Sequence, residues 1–181
     1  MTLTYTLSEY DFLQHQLFIA SKTQRTKNQR TKTWLIYSVA MLLLSLMFYQ
    51  SGNIFMTYYF LVFGIVFFCM FPFYQRWYYK NHYRKFVTDT YKNRFDRVVS
   101  VTISGEGIET SDFTGESKIN LTELESTIET SEYFYVKMRT SGHLIIPKMK
   151  LSNIDSTRIE LKDLCKELSI RFTNDLNWKW R

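Results

Sequence analysis

The chain has 181 residues, 23 Lys/Arg against 17 Asp/Glu for a formal net charge of +6, and an apolar content of 45%. The charge is uneven: residues 1–33 carry 5 Lys/Arg and 2 acids, residues 75–97 carry 7 and 2, and residues 98–181 carry 11 and 13. A basic excess flanking an uncharged block argues against nucleic acid as a partner, and the two cysteines, Cys69 in an apolar run and Cys165 in a polar one, fall at different depths and are not expected to pair.

Residues 4–21 read as a short amphipathic helix. Ser8 and Asp11 have the spacing of a capping box, with Asp in place of the preferred Glu or Gln, and Leu13, Leu17 and Phe18 share a face. The segment is not read as a signal peptide, because the first apolar run starts far from Met1 and no small-residue cleavage pattern follows it. Lys22, Arg25, Lys27, Arg30 and Lys32 then form a basic run, which fits both a topogenic flank and contact with anionic lipid.

Residues 33–75 contain not one Asp, Glu, Lys or Arg. Two apolar runs, 34–49 and 54–74, are separated by Gln50, Ser51, Gly52 and Asn53, a turn-forming tetrapeptide. The pattern predicts a transmembrane helical hairpin. Mean hydropathy over the whole chain, -0.23, hides this because the apolar residues are concentrated. As a helix the first run reaches about 24 Å, short of the roughly 30 Å hydrocarbon core, so snorkelling by Lys32 and inclusion of Thr33 and Gln50 are expected to complete it. The second run reaches about 31 Å unaided. Basic residues flank both outer ends and the turn has none, which predicts cytoplasmic termini. Ser38, Ser45 and Gly64 are small enough to let the helices approach.

From Arg76 to Arg97 the chain mixes aromatic and basic residues, with Tyr79, Tyr83, Val87, Tyr91 and Phe95 at helical spacing and Arg76, Lys80 and Arg84 on a neighbouring strip. Such interleaving also suits single-stranded nucleic acid, but at the end of a spanning run an aromatic belt with headgroup-facing cations explains it better. The membrane-interface candidates are Lys32, Trp34, Arg76, Trp77, Lys80 and Arg84, joined by Trp178 and Trp180, which either meet the bilayer or dock on the protein itself.

Beyond Val98 the pattern becomes that of short strands. Val99, Val101 and Ile103 alternate with polar residues, Gly105, Glu106 and Gly107 supply a turn, and residues 108–112 pair back. A turn at Gly115, a strand over 118–121, one helical turn or a corner at Thr122 and Glu125, strands over 133–139 and 143–147 and a turn at Thr140, Ser141 and Gly142 complete an antiparallel meander. A helix starting between Ser152 and Asp155, with Ile154, Leu161, Leu164, Cys165, Leu168 and Phe172 as its apolar stripe, is expected to cover one sheet face. The expected fold is an α+β membrane protein: an amphipathic cytoplasmic segment (1–33), a two-helix hairpin (34–74), a juxtamembrane helix (75–97) and a small antiparallel barrel with a C-terminal helix (98–181).

Several stretches carry a resemblance. YTLSEYDF (5–12), the basic run, the hairpin, YYKNHYRKF (78–86), GEGIE (105–109), GESKINLTELESTIET (115–130), YFYVKM (133–138) and LIIPK (144–148), in this order, resemble the YcxB-like family of bacterial membrane proteins. Leu121 departs from the pattern, standing where the family commonly carries Trp. The resemblance implies a C-terminal pleckstrin-homology-like (PH-like) domain and placement in a bacterial inner membrane; it implies no biochemical role.

No catalytic signature accompanies these features. His15, His82 and His143 lie far apart without ligand spacing, no nucleophile elbow or phosphate-binding glycine loop is present, and no cofactor or metal is expected. The chain reads as a non-enzymatic, membrane-anchored binding or regulatory module whose domain engages a protein or an anionic lipid. Lys118, Lys137, Arg139, Lys148 and Lys150 are the candidate contacts with an acidic partner, although a solvated strand face is the simpler account of any one of them. A homo-oligomer is compatible with the hairpin, and an accessory subunit of a membrane enzyme or transporter is the alternative role.

Overall fold

The computed structural model describes residues 1–105, 107–113, 115–140 and 142–180. They form eight strands and four α-helices, in two compact units: Met1–His15 with Val87–Lys179, and Gln16–Phe86 with Trp180. The elements are β1 (Thr2–Thr6), α1 (Glu9–Lys22), α2 (Gln24–Gln50), α3 (Ile54–Tyr91), β2 (Val98–Ser104), β3 (Gly107–Asp112), β4 (Gly115–Ile119), β5 (Leu124–Thr130), β6 (Tyr133–Met138), β7 (His143–Pro147), α4 (Ile154–Glu167) and β8 (Arg171–Asp175).

In the helical unit, α2 and α3 are each long and apolar enough to cross a membrane. The turn between them works as its residues suggest. Gly52 takes φ +77°, and Asn53 Oδ1 accepts the Met56 amide at 3.1 Å, capping α3. Gly64 faces Met41 so closely that an added Cβ would lie 3.2 Å from the Met41 Cβ. Ser45 donates across the seam to the Thr57 carbonyl at 3.0 Å, whereas Ser38 donates to Trp34 of its own helix. The outward faces are apolar and bare: Ile36 is 64% exposed, Leu43 60%, Phe55 75% and Phe73 68%.

Pro72 lies inside α3 without ending it. Proline has no N–H to offer the carbonyl four residues back, and that carbonyl, on Phe68, instead accepts the Trp34 indole N–H at 3.1 Å. With this repair α3 runs unbroken for 38 residues, the second span continuing as the juxtamembrane helix expected beyond it, and ends in a 3-10 turn at Lys92–Arg94.

The sheet unit differs from the expected barrel. One antiparallel sheet has the order β1-β2-β3-β4; the other has the order β7-β6-β5-β8 and is mixed, because β8 runs parallel to β5. Among the described residues no strand pairing joins the two sheets, so the barrel is not closed. The expected helix over 4–21 starts only at Glu9; Thr2–Thr6 is a strand, with Leu3 opposite Val101 and Tyr5 opposite Val99. Leu3, Tyr5 and Leu7 alternate with threonines, and β-branched Thr favours a pleated surface. The sheet unit therefore begins at residue 1 and not at 98.

Phe172, expected on the last helix, lies in β8, and of the two alternatives at Thr122 and Glu125 the helical turn is the one present, a 3-10 turn over Leu121–Glu123 leading straight into β5. The helix cap is Asn153, whose side chain accepts the Ser156 amide at 3.0 Å. Glu106 and Ser141, within two of the expected turns, lie outside the described residues. Gly107 is the position where only glycine fits, since a Cβ there would sit 2.6 Å from the Ile119 carbonyl oxygen.

Side chains on both faces of β6 are buried: Tyr133 and Tyr135 on one, Phe134 and Val136 on the other. The reason is a helix on each face. Tyr133 and Tyr135 meet the first half of α1 through Asp11 and His15. On the opposite face the Cys165 thiol of α4 donates to Thr127 of β5 at 3.2 Å, and Arg158 of α4 reaches Glu129.

Candidate membrane interface and charged surface of the sheet unit

At the foot of the hairpin, Lys27, Arg30, Thr31 and Trp34 follow one another at i, i+3, i+4 and i+7, so a single face of α2 carries them. Pro72 and Gln75 of α3 complete a groove of about 490 Å³ with these four. Gln75 is buried and its amide donates to the Arg30 carbonyl at 3.1 Å. The Arg30 guanidinium lies 5.6 Å from the Tyr79 ring centroid and 5.1 Å from that of Trp180.

Lys32, Arg76, Trp77, Lys80 and Arg84 are exposed and Trp34 is half-buried, an arrangement that leaves a basic and aromatic collar on the helical unit. Trp180 follows the second of its two alternatives, docking on the protein. It is 7% exposed, and its indole N–H donates to the Arg76 carbonyl at 3.3 Å. Trp178 is half-buried, with its amide donating to the Asp175 carbonyl.

The five cations assigned to an acidic partner do not form one free patch. Lys148 is buried; its ammonium donates to Glu129 at 2.7 Å and to the Thr130 carbonyl at 2.6 Å, above the Phe134 ring. Burial alone would push the Glu129 carboxyl up, but Lys148 and Arg158 both bond to it and hold it below the usual carboxylate range. Lys148 is thus consumed inside the domain, because a buried carboxylate needs a cation more than the surface does. Lys118 pairs with Glu109 at 3.0 Å and Lys137 with Glu125 at 2.5 Å, both on the surface. Arg139 is exposed.

Lys150 belongs to a cluster that spacing did not reveal. Its ammonium donates to the Thr6 carbonyl at 2.8 Å and to Asp11 at 3.1 Å; Asp11 also accepts the Ser8 amide, the Ser8 hydroxyl and the Tyr133 hydroxyl, each at 2.8 Å. Burial would raise the Asp11 pKa, but these four donors outweigh it and lower the value. One turn along α1, His15 stands 5.0 Å from His143 between ring centroids and 5.4 Å from Tyr135. Burial pulls His15 down to about 3, with His143 adding to the effect. His143 is lowered too, first by burial and then by Lys137.

Among the described residues no group of three or more His, Cys, Asp or Glu is placed to hold a metal ion, and both cysteines are free. Ser8 with Asp11 was legible as a helix start; its partners Tyr133 and Lys150 were not, since nothing local ties them to it. No protein-family model, curated protein or solved structure matches the chain.

Proposed function

We propose that the chain is a multi-pass protein of a bacterial cell membrane, anchored by α2 and α3 with both termini cytoplasmic, and that its sheet unit is a binding module for a protein or anionic-lipid partner. The pairing of β1 with β2 carries this reading. These strands flank the two apolar helices in sequence, and strands that hydrogen-bond to each other must lie on the same side of a bilayer, which requires an even number of crossings between them. A two-helix hairpin supplies that number. The bare apolar faces of both helices support insertion, because exposed surface of this kind is costly in water and free of cost in lipid. The cations at the hairpin's outer ends then favour the cytoplasm. The segment order that resembles the YcxB-like family agrees with the same arrangement.

The test is topological. The protein is expected to remain with the membrane after alkaline carbonate extraction, a reporter fused after Arg181 to be active in the cytoplasm, and one inserted at Gly52 to be exported. Release by carbonate, both reporters on the same side, or export of the Arg181 fusion, would overturn the reading. Cross-linking in native membranes tests the binding role, with Arg139→Glu expected to reduce capture of an acidic partner.

A further inference from the structure

We infer that the groove at the foot of the hairpin binds the phosphate headgroup of an anionic phospholipid, with Lys27, Arg30 and Thr31 as its donors. The inference rests on the membrane placement proposed above and assigns the lipid contact to the helical unit rather than to the sheets. Polarity along the groove runs in the order a lipid requires. Lys27, Arg30 and Thr31 line its outer part, and Trp34 and Pro72 lie toward the apolar block. A headgroup seated among the first three leaves its acyl chains against the exposed apolar faces of the same helices.

Charge complementarity identifies the ligand's sign. Residues 16–86 include nine Lys/Arg and not one Asp or Glu, so the segment is strongly cationic and favours an anionic ligand. Arg76 is near enough to interact electrostatically with Arg30, and the two like charges deepen the positive potential there. The site is also preorganised. Tyr79 and Trp180 lie against Arg30, and Gln75 holds the α2 backbone at the same residue. A guanidinium restrained by rings keeps its in-plane N–H groups in the geometry that phosphate oxygens match.

The test uses the full chain in nanodiscs of equal phosphatidylglycerol and phosphatidylcholine, with the lipids retained after transfer to mild detergent counted by native mass spectrometry. The wild-type protein is expected to retain phosphatidylglycerol preferentially. Lys27→Gln with Arg30→Gln should lower that preference by about fivefold for each charge removed. Lys92→Gln with Arg94→Gln, an equal charge loss at residues that do not line the groove, should leave it within about twofold. Thr31→Phe, which fills the groove while keeping every charge and the Trp180 contact, should lower it as well. Equal losses in the two double variants, or an unaltered preference in Thr31→Phe, would overturn the inference in favour of diffuse attraction. Insertion without headgroup preference would overturn this inference alone; failure to enter the bilayer would overturn the membrane reading with it.

Discussion

At the scale of single residues, the sheet unit contains two kinds of buried titratable group with opposite charge preferences. Asp11 and Glu129 are held ionised by donors, and both pKa values are lowered. Their stabilisation is present above the unfolded carboxylate pKa and is lost as pH falls through the folded values. His15 is held neutral instead. Its folded value of about 3 lies below the ordinary 6.5, so as pH drops from 6.5 toward 3 the unfolded chain takes up a proton that the fold refuses. Stability should therefore begin to fall near pH 6.5, well before the carboxylates titrate, at up to about 1.4 kcal/mol per pH unit. Urea unfolding of the protein in mild detergent, followed by tyrosine near-UV circular dichroism, measures this slope. His15→Leu is expected to reduce it between pH 6.5 and 4.5, with His143, also lowered by burial, supplying the remainder. A slope unchanged by the substitution would assign acid sensitivity elsewhere. The histidine was visible in the sequence; its environment was not, because His143 and Tyr135 arrive from strands that only the fold brings to α1.

Among the elements, the hairpin was the most legible, since run length and charge depletion are properties of contiguous chain. What could not be read there was the coupling of Trp34 to Pro72. A tryptophan at a helix foot looks like an interface anchor and a proline inside an apolar run looks like a break, yet the indole supplies the donor that proline lacks. Trp34→Phe should thus cost about 1–2 kcal/mol by leaving the Phe68 carbonyl unbonded. In a Pro72→Ala background, where a backbone N–H is restored, the same substitution should cost much less. A double-mutant cycle on unfolding in detergent reads the difference, and purely additive losses would refute the coupling. Element boundaries in the sheets fared less well. The alternation over residues 2–7 was obscured by the capping signal at Ser8, and β5 was hidden because Thr127 and Glu129, polar residues, occupy buried positions bonded to α4.

The whole molecule is threaded so that its sheet unit is discontinuous in sequence. β1 and the first half of α1 come from before the hairpin, and β2 to β8 come from after it. A fragment of residues 98–181 consequently lacks an edge strand and the helix that covers Tyr133 and Tyr135. It is expected to be unfolded or aggregation-prone in circular dichroism and gel filtration, exposing the β2 edge and the buried face of β6. Joining residues 1–15 to 87–179 through a short flexible linker should restore cooperative unfolding. A well-folded 98–181 fragment would show instead that the N-terminal segment is dispensable.

The sequence by itself determined the two apolar helices, the turn between them, the charge asymmetry and the strand-rich character of residues 98–147, because each is written in neighbouring residues through hydropathy, period and turn chemistry. Only the tertiary structure decided that β1 completes the sheet begun by β2, that Lys148 neutralises Glu129 instead of facing a partner, and that Trp180 packs on Arg30. Each of these joins groups distant in sequence, whose burial and pairing energies exist only once the chain has brought them together.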